Sequence, residues 1–248
     1  MKSVRKFILA IMLFCVFPCT IFSQNVTDSQ GRKQGVWEKK NEEGKLVYRG
    51  TFKDNVPQGV FTYYYETGKV RTQLTYSEDG KSATSLSFHA NGKKMAEGNY
   101  VETKKDGHWK YFNDIEKPSA DEYYTHGKPV GMWKTYYDDG KLLEECPYLN
   151  GLKHGTVKQY FTDGSVKSEV NFLNGKYEGK STYYYDSGKI LLTGVLHDDM
   201  KEGVWISFKE NGEKESEIEY SKGEIVKEKY YDKALEKELK EDVTPIPE

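Results

Sequence analysis

Cysteine, aliphatic residues, net charge and long apolar runs are all scarce in this chain of 248 residues. Of the 3 cysteines, Cys15 and Cys19 fall in the N-terminal apolar segment, which leaves Cys146 without an intramolecular disulfide partner once that segment is removed. Packing and backbone pairing must then stabilise the chain without covalent help. Hydrophobic residues make up 36% and mean hydropathy is −0.81, which argues against one large aliphatic core. Net charge is −2, so bulk electrostatics give no support to nucleic-acid binding. The apolar run Phe7 to Phe17 has eleven residues, about half of the roughly 20 that a membrane span takes. What the chain has in quantity is rings: 20 Tyr, 11 Phe and 4 Trp, or 14%. Disordered chains are poor in such residues.

Lys2, Arg5 and Lys6 precede the apolar run, and Pro18 to Ser23 lead into polar Gln24. This is the layout of a secretory signal peptide over residues 1–23, with cleavage expected near Ser23–Gln24. The expected location is outside the cytoplasm: periplasmic, cell-surface or secreted. Removal of the segment takes three basic groups from 37, leaving 34 against 39 acids, a net of −5. An acidic chain is a poor match for polybasic membrane docking, and no stable membrane insertion is expected after cleavage. Cys146 reads as a small buried hydrophobe.

A period of 24 residues runs from residue 35 to residue 226 without insertion or deletion. Stepping from Gly35 reaches Gly59, Ala83, Gly107, Gly131, Gly155, Gly179 and Gly203. Stepping from Gly44 reaches glycine everywhere except Glu116, and stepping from Phe52 reaches an aromatic residue everywhere except Leu196. Each unit reads as a β-hairpin. In the unit starting at Gly131, strands of about Met132–Tyr137 and Leu142–Leu149 flank Asp138-Asp139-Gly140-Lys141, and Asn150-Gly151 opens the turn to the next unit. Eight units give an all-β chain: about sixteen strands in an elongated, twisted, single-layer antiparallel meander. Rings stand on both faces of the strands, so stacking between neighbouring repeats replaces a second layer. Residues 24–34 read as an N-terminal cap or partial repeat. Residues 227–248 read as a short C-terminal helix, over 230–241 with Leu235 and Leu239 four apart, followed by a disordered tail.

The stretch Gly131 to Leu142 closely matches the pattern Gly-x-Trp-x-x-Tyr-Tyr-x-x-Gly-Lys-Leu, and so resembles the bacterial variant of the MORN repeat. The resemblance covers residues 31–226. It implies chains of β-hairpins in open, twisted single-layer sheets that serve as protein-interaction, dimerisation or membrane-associating modules. Proteins of this variant are often labelled YwqK-family antitoxins, so the resemblance also implies an antitoxin-like partnership with a co-encoded toxin. Two units depart from the pattern: the third has Ala83 and Ser85 where Gly and Trp are usual, and the fourth has Glu116-Lys117-Pro118 at its hairpin turn.

No motif for catalysis, a metal or a cofactor emerges. His89, His108, His126, His154 and His197 occupy five different repeat positions, and no nucleophile elbow or phosphate loop is present. Asp138-Asp139 and Asp198-Asp199 fall in turns, where aspartate serves the backbone. The expectation is a non-enzymatic scaffold with a protein partner. A carbohydrate or cell-envelope ligand is the alternative, beside the antitoxin-like role. Trp37, Trp109, Trp133 and Trp205 share one repeat position and are the candidate interaction surface, unless their rings stack on one another to hold the sheet together.

Overall fold

The computed structural model describes residues 24–231, and the expected signal peptide and most of the expected C-terminal helix and tail lie outside them. Among the described residues there are 20 strands and no helix. Successive strands pair antiparallel in one open sheet, which bears out the all-β hairpin meander. The expected sixteen become 20 for two reasons. Val26–Thr27 and Glu224–Tyr230 add a strand at each end, and two of the sixteen break in two, at Val130 and at His154. The second break faces Pro147, whose carbonyl accepts from the His154 N–H at 3.0 Å but which has no N–H to return.

The terminal strand corrects one boundary. Glu224–Tyr230 pairs with Lys214–Ser221, with Tyr230 opposite Ser216, so residues 227–230 continue the sheet and do not begin a helix. At the other end Val26 and Thr27 pair with Gln34 and Lys33. The Arg32 guanidinium and the turn's N–H groups hold the Asp28 carboxyl down at about 2.

Two turn types alternate. Between repeats, most connections are two-residue turns with both φ positive, as at Asn150 (53°) and Gly151 (90°). This is the type I′ geometry that matches strand twist. Within repeats the loop is wider: the Tyr137 N–H donates to Lys141 O and the Gly140 N–H to Tyr137 O, both at 2.8 Å. Side chains tie neighbouring loops together. Tyr65, Tyr137 and Tyr185 each donate a hydroxyl hydrogen bond to the carbonyl 23 residues on, at 2.7, 2.6 and 2.8 Å.

The core consists mainly of one contact repeated. Trp37, Phe61, Trp109, Trp133 and Trp205 share a repeat position, and most of these rings lie across the residue eleven before them in the previous repeat. A Cβ added to Gly50, Gly98 or Gly194 would sit inside the ring of Phe61, Trp109 or Trp205 respectively. Those three rings are only 3% exposed. Where the later residue carries no ring the earlier one is not glycine: Val157 follows Cys146, Ser181 follows Val170, and Ser85 follows Leu74. Most of these are buried, Cys146 at 4%, Val157 at 5% and Val170 at 8%. A single layer has no opposing sheet to fill voids, so ring and partner volumes must trade within the layer. We expect Gly98→Ala to destabilise the protein by about 1–3 kcal/mol through overpacking. In a Trp109→Ser background Gly98→Leu should be tolerated, imitating Ser85 and Leu74. Urea unfolding of the singles and the double should show a coupling above about 1 kcal/mol; additive losses would contradict the volume trade.

Candidate functional site: a gap in the ring ladder

On the indole face, rings alternate between the tryptophan position and the Phe52-type position. Phe61 lies between Phe52 and Tyr76, at centroid distances of 5.0 and 5.2 Å. Trp133 lies between Tyr124 and Tyr148, at 5.1 and 4.6 Å. Lysines cap the ladder. Lys33, Lys105 and Lys201 share a position, and their Nζ atoms sit 4.8, 5.0 and 4.7 Å over Trp37, Trp109 and Trp205.

The third repeat interrupts this order, and the backbone explains how. In the neighbouring units a glycine with positive φ, such as Gly59 (60°) or Gly107 (71°), opens a bulge in the strand. The register then shifts between Arg49 and Thr51, and between Glu97 and Asn99. Ala83 replaces that glycine. The pairing of Val70–Tyr76 with Ser82–Phe88 runs without a shift, from Thr72 opposite Ser87 to Tyr76 opposite Ala83. The two residues that a bulge absorbs elsewhere go into a wider turn, closed by the Ser77 N–H on Ser82 O at 2.9 Å. The period therefore survives while the local geometry changes.

Ser85 occupies the ring position of this unit, and a groove of about 710 Å³ opens over it. Ala83, Ser85 and Ser87, all buried, form its floor. Tyr63, Tyr76 and Tyr100 contribute rings, and Arg71, Lys81 and Glu102 contribute charge. Burial pushes the Tyr76 and Tyr100 hydroxyls above the usual phenol range, so both remain neutral at physiological pH. The site thus offers aromatic walls, a small-residue floor and two cations against one carboxylate.

The four indoles expected as the interaction surface differ in exposure. Trp109 and Trp205 are buried, while Trp37 and Trp133 are partly buried. Every indole N–H is already bonded to a backbone carbonyl: Trp37 to Val26, Trp109 to Asn99, Trp133 to Tyr123 and Trp205 to Val195, at 3.0–3.2 Å. The groove itself was not expected from the sequence. The signal for it was there, in Ala83 and Ser85.

The opposite face is polar. Glu145 accepts from Lys134 at 2.9 Å and from the Tyr160 hydroxyl of the next repeat at 2.8 Å. Glu169 repeats this with Lys158 at 2.7 Å and Tyr184 at 3.1 Å. Hydrogen bonds from Lys134 and Lys158 hold the two carboxyls below their ordinary range, whereas burial, then Glu145, pushes Tyr160 up to about 12. The histidines are dispersed, with His89 on Phe112 O at 2.8 Å, His108 on Asp121 at 2.9 Å and His197 on Glu178 at 3.0 Å. Among the described residues no group of three or more His, Cys, Asp or Glu side chains could hold a metal ion. No helix there is long and apolar enough to cross a membrane. Cys146 is buried, and burial raises its thiol pKa.

The family described as MORN repeat variant matches residues 33–54, 57–81, 129–150, 153–174, 177–195 and 201–222, together more than half of the chain. The chain belongs to this family, whose repeats are generally involved in protein and membrane interactions. The unmatched stretch between residues 81 and 129 is where Ala83, Ser85 and Glu116-Lys117-Pro118 fall. No curated protein matches. Among solved structures, TarM is 17% identical over 39% of this chain and 19% of its own, with a TM-score of 0.28. An S. aureus TarM variant in complex with Fondaparinux, alpha-GlcNAc-glycerol and UDP is similar to the same extent, at 16% identity and a TM-score of 0.28. The Photorhabdus luminescens Tc holotoxin pore is 11% identical over 80% of this chain and 13% of its own, with a TM-score of 0.22. This chain therefore spans about a fifth or less of the length of each, and likenesses at this level carry no functional argument.

The carboxylate ladder has a pH signature. Because the folded pKa of Glu145 and Glu169 lies below the unfolded value, their contribution is full above the unfolded pKa. It disappears as pH falls through the folded one. With these side chains partly exposed, each pair contributes about 1 kcal/mol at most. We expect the thermal midpoint of a Glu145→Gln, Glu169→Gln variant to lie below wild type near neutral pH. The two should converge as pH drops below about 4. A constant difference across that range would show that the carboxylates act through packing alone.

Proposed function

We propose that this chain is a non-catalytic scaffold, exported from the cytoplasm, that holds a protein partner against the indole face of its sheet. The observation that carries this reading is the groove of about 710 Å³ at the third repeat, over Ser85, which stands where five of the eight units carry a ring. Membership of an interaction-repeat family supports it. So does the quasi-one-dimensional build, which offers an extended surface and needs no ligand to complete its core. The export part rests on the layout of residues 1–23. A glycan is the second reading, because Tyr63, Tyr76 and Tyr100 present rings beside Glu102 in one groove.

The test is in-cell cross-linking of the tagged full-length protein, with mass spectrometry of the captured material and N-terminal sequencing of the same sample. We expect one dominant exported protein, cross-linked through residues of the third repeat, and a mature N-terminus near Gln24. Capture of no protein by a processed chain would overturn the scaffold reading in favour of the glycan. An unprocessed N-terminus would overturn export.

A further inference from the structure

We infer that the third-repeat gap is a seat for an aromatic side chain supplied by a protein partner, with its ring between Tyr76 and Tyr100 and under Lys81. The inference rests on the scaffold reading and names the chemistry of what the scaffold holds. The chain itself provides the template. Phe61 between Phe52 and Tyr76, and Trp133 between Tyr124 and Tyr148, show which object completes this ladder and at which spacing. At the third repeat the flanking pair is Tyr76 and Tyr100, both of which line the groove, and the position between them is Ser85.

A lysine lines the groove as well, from the wider turn closed between Ser77 and Ser82. Lys81 stands at the repeat position of Lys33, Lys105 and Lys201, each of which covers the ring four residues on and the ring nineteen residues on. Four residues on from Lys81 is Ser85, and nineteen on is Tyr100. A cation thus lines the groove beside a missing π face. The seventh repeat shows the contrasting case. Ser181 occupies its ring position too, but Tyr177 stands where the lysine would be and packs on Phe172 at 4.4 Å. Ser181 and Ser85 are both buried, but Ser85 floors the groove of about 710 Å³, while beside Ser181 the Tyr177 and Phe172 rings pack on each other. Arg71 and Lys81 outnumber Glu102 in the groove, so a segment with a carboxylate beside its ring fits better than a neutral one.

The experiment is fluorescence anisotropy with two labelled nine-residue peptides, Gly-Ser-Gly-Asp-Trp-Asp-Gly-Ser-Gly and the same peptide with Ala in place of Trp. We expect the intact chain to prefer the Trp peptide by about tenfold. The preference should weaken when both Asp residues are replaced by Lys. Ser85→Trp together with Leu74→Gly gives the third repeat the ring-on-glycine pair seen at Trp109 and Gly98. With Ala83→Gly added to restore the bulge glycine, that variant should abolish the preference and still unfold cooperatively. Tyr76→Ala with Tyr100→Ala removes the walls by a different route and should do the same. Equal binding of both peptides, or a preference that survives in the ring-filled variant, would overturn the inference. So would binding of a chito-oligosaccharide probe with both peptides inert. If the partner captured in cells still binds the ring-filled variant, the scaffold stands and the seat lies elsewhere. If no partner is captured at all, the scaffold reading itself falls.

Discussion

A ring lying flat across a glycine of the preceding repeat is the contact on which the rest of the structure depends. A one-layer sheet has no second layer to cover its apolar side chains, so burial has to come from neighbours within the layer. Phe61, Trp109 and Trp205 reach 3% exposure because Gly50, Gly98 and Gly194 carry no Cβ where the rings pass. The hydrophobic stabilisation is therefore local and serial. Each repeat buries its neighbour, with the indole N–H bonded to a carbonyl of that neighbour and a lysine over the ring. Cooperation between repeats follows from this pairwise fit and from the turn ladders, in which Tyr65, Tyr137 and Tyr185 reach the next loop.

The same constraint explains why the third repeat is the exception that matters. The bulge glycine sets the ring's approach. With Ala83 in its place the strands pair in plain register, the ring position becomes Ser85, and Leu74 takes part of the lost volume. The surplus residues move into the turn that begins at Ser77, so the 24-residue period is preserved. What remains is a groove whose walls are the ordinary members of the ladder. Its chemistry comes from the fold, and the unshifted register at Ala83 is what is particular to this unit.

Much of the architecture was legible in the sequence. The glycine series, the Asn-Gly and Asp-Gly turns and the unbroken period placed the hairpins correctly, as at Leu142–Leu149. The burial of individual indoles was not legible. Trp109 and Trp133 share a repeat position, yet one is buried and the other partly exposed. Their partners eleven residues back are Gly98 and Glu122, and that pairing emerges only once the bulge sets the register. The C-terminal boundary also escaped, because Glu224–Tyr230 is rich in Glu and Lys and carries no ring-and-glycine pattern, yet it pairs along the edge with Lys214–Ser221. The groove was half legible: Ala83 and Ser85 announced a departure, but not that Tyr76 and Tyr100 would keep their places around it.

If ring-on-glycine contacts hold successive repeats together, protection of the backbone should follow the ladder. Hydrogen exchange, resolved by peptide along the chain, tests this directly. The account predicts that amides shared by Val70–Tyr76 and Ser82–Phe88, which lack the contact, exchange faster than those of the ring-on-glycine strand pairs. Those shared by Leu46–Lys53 and Val56–Tyr64, and by Lys94–Val101 and Lys104–Phe112, should exchange more slowly. Equal or greater protection at the third repeat would contradict it.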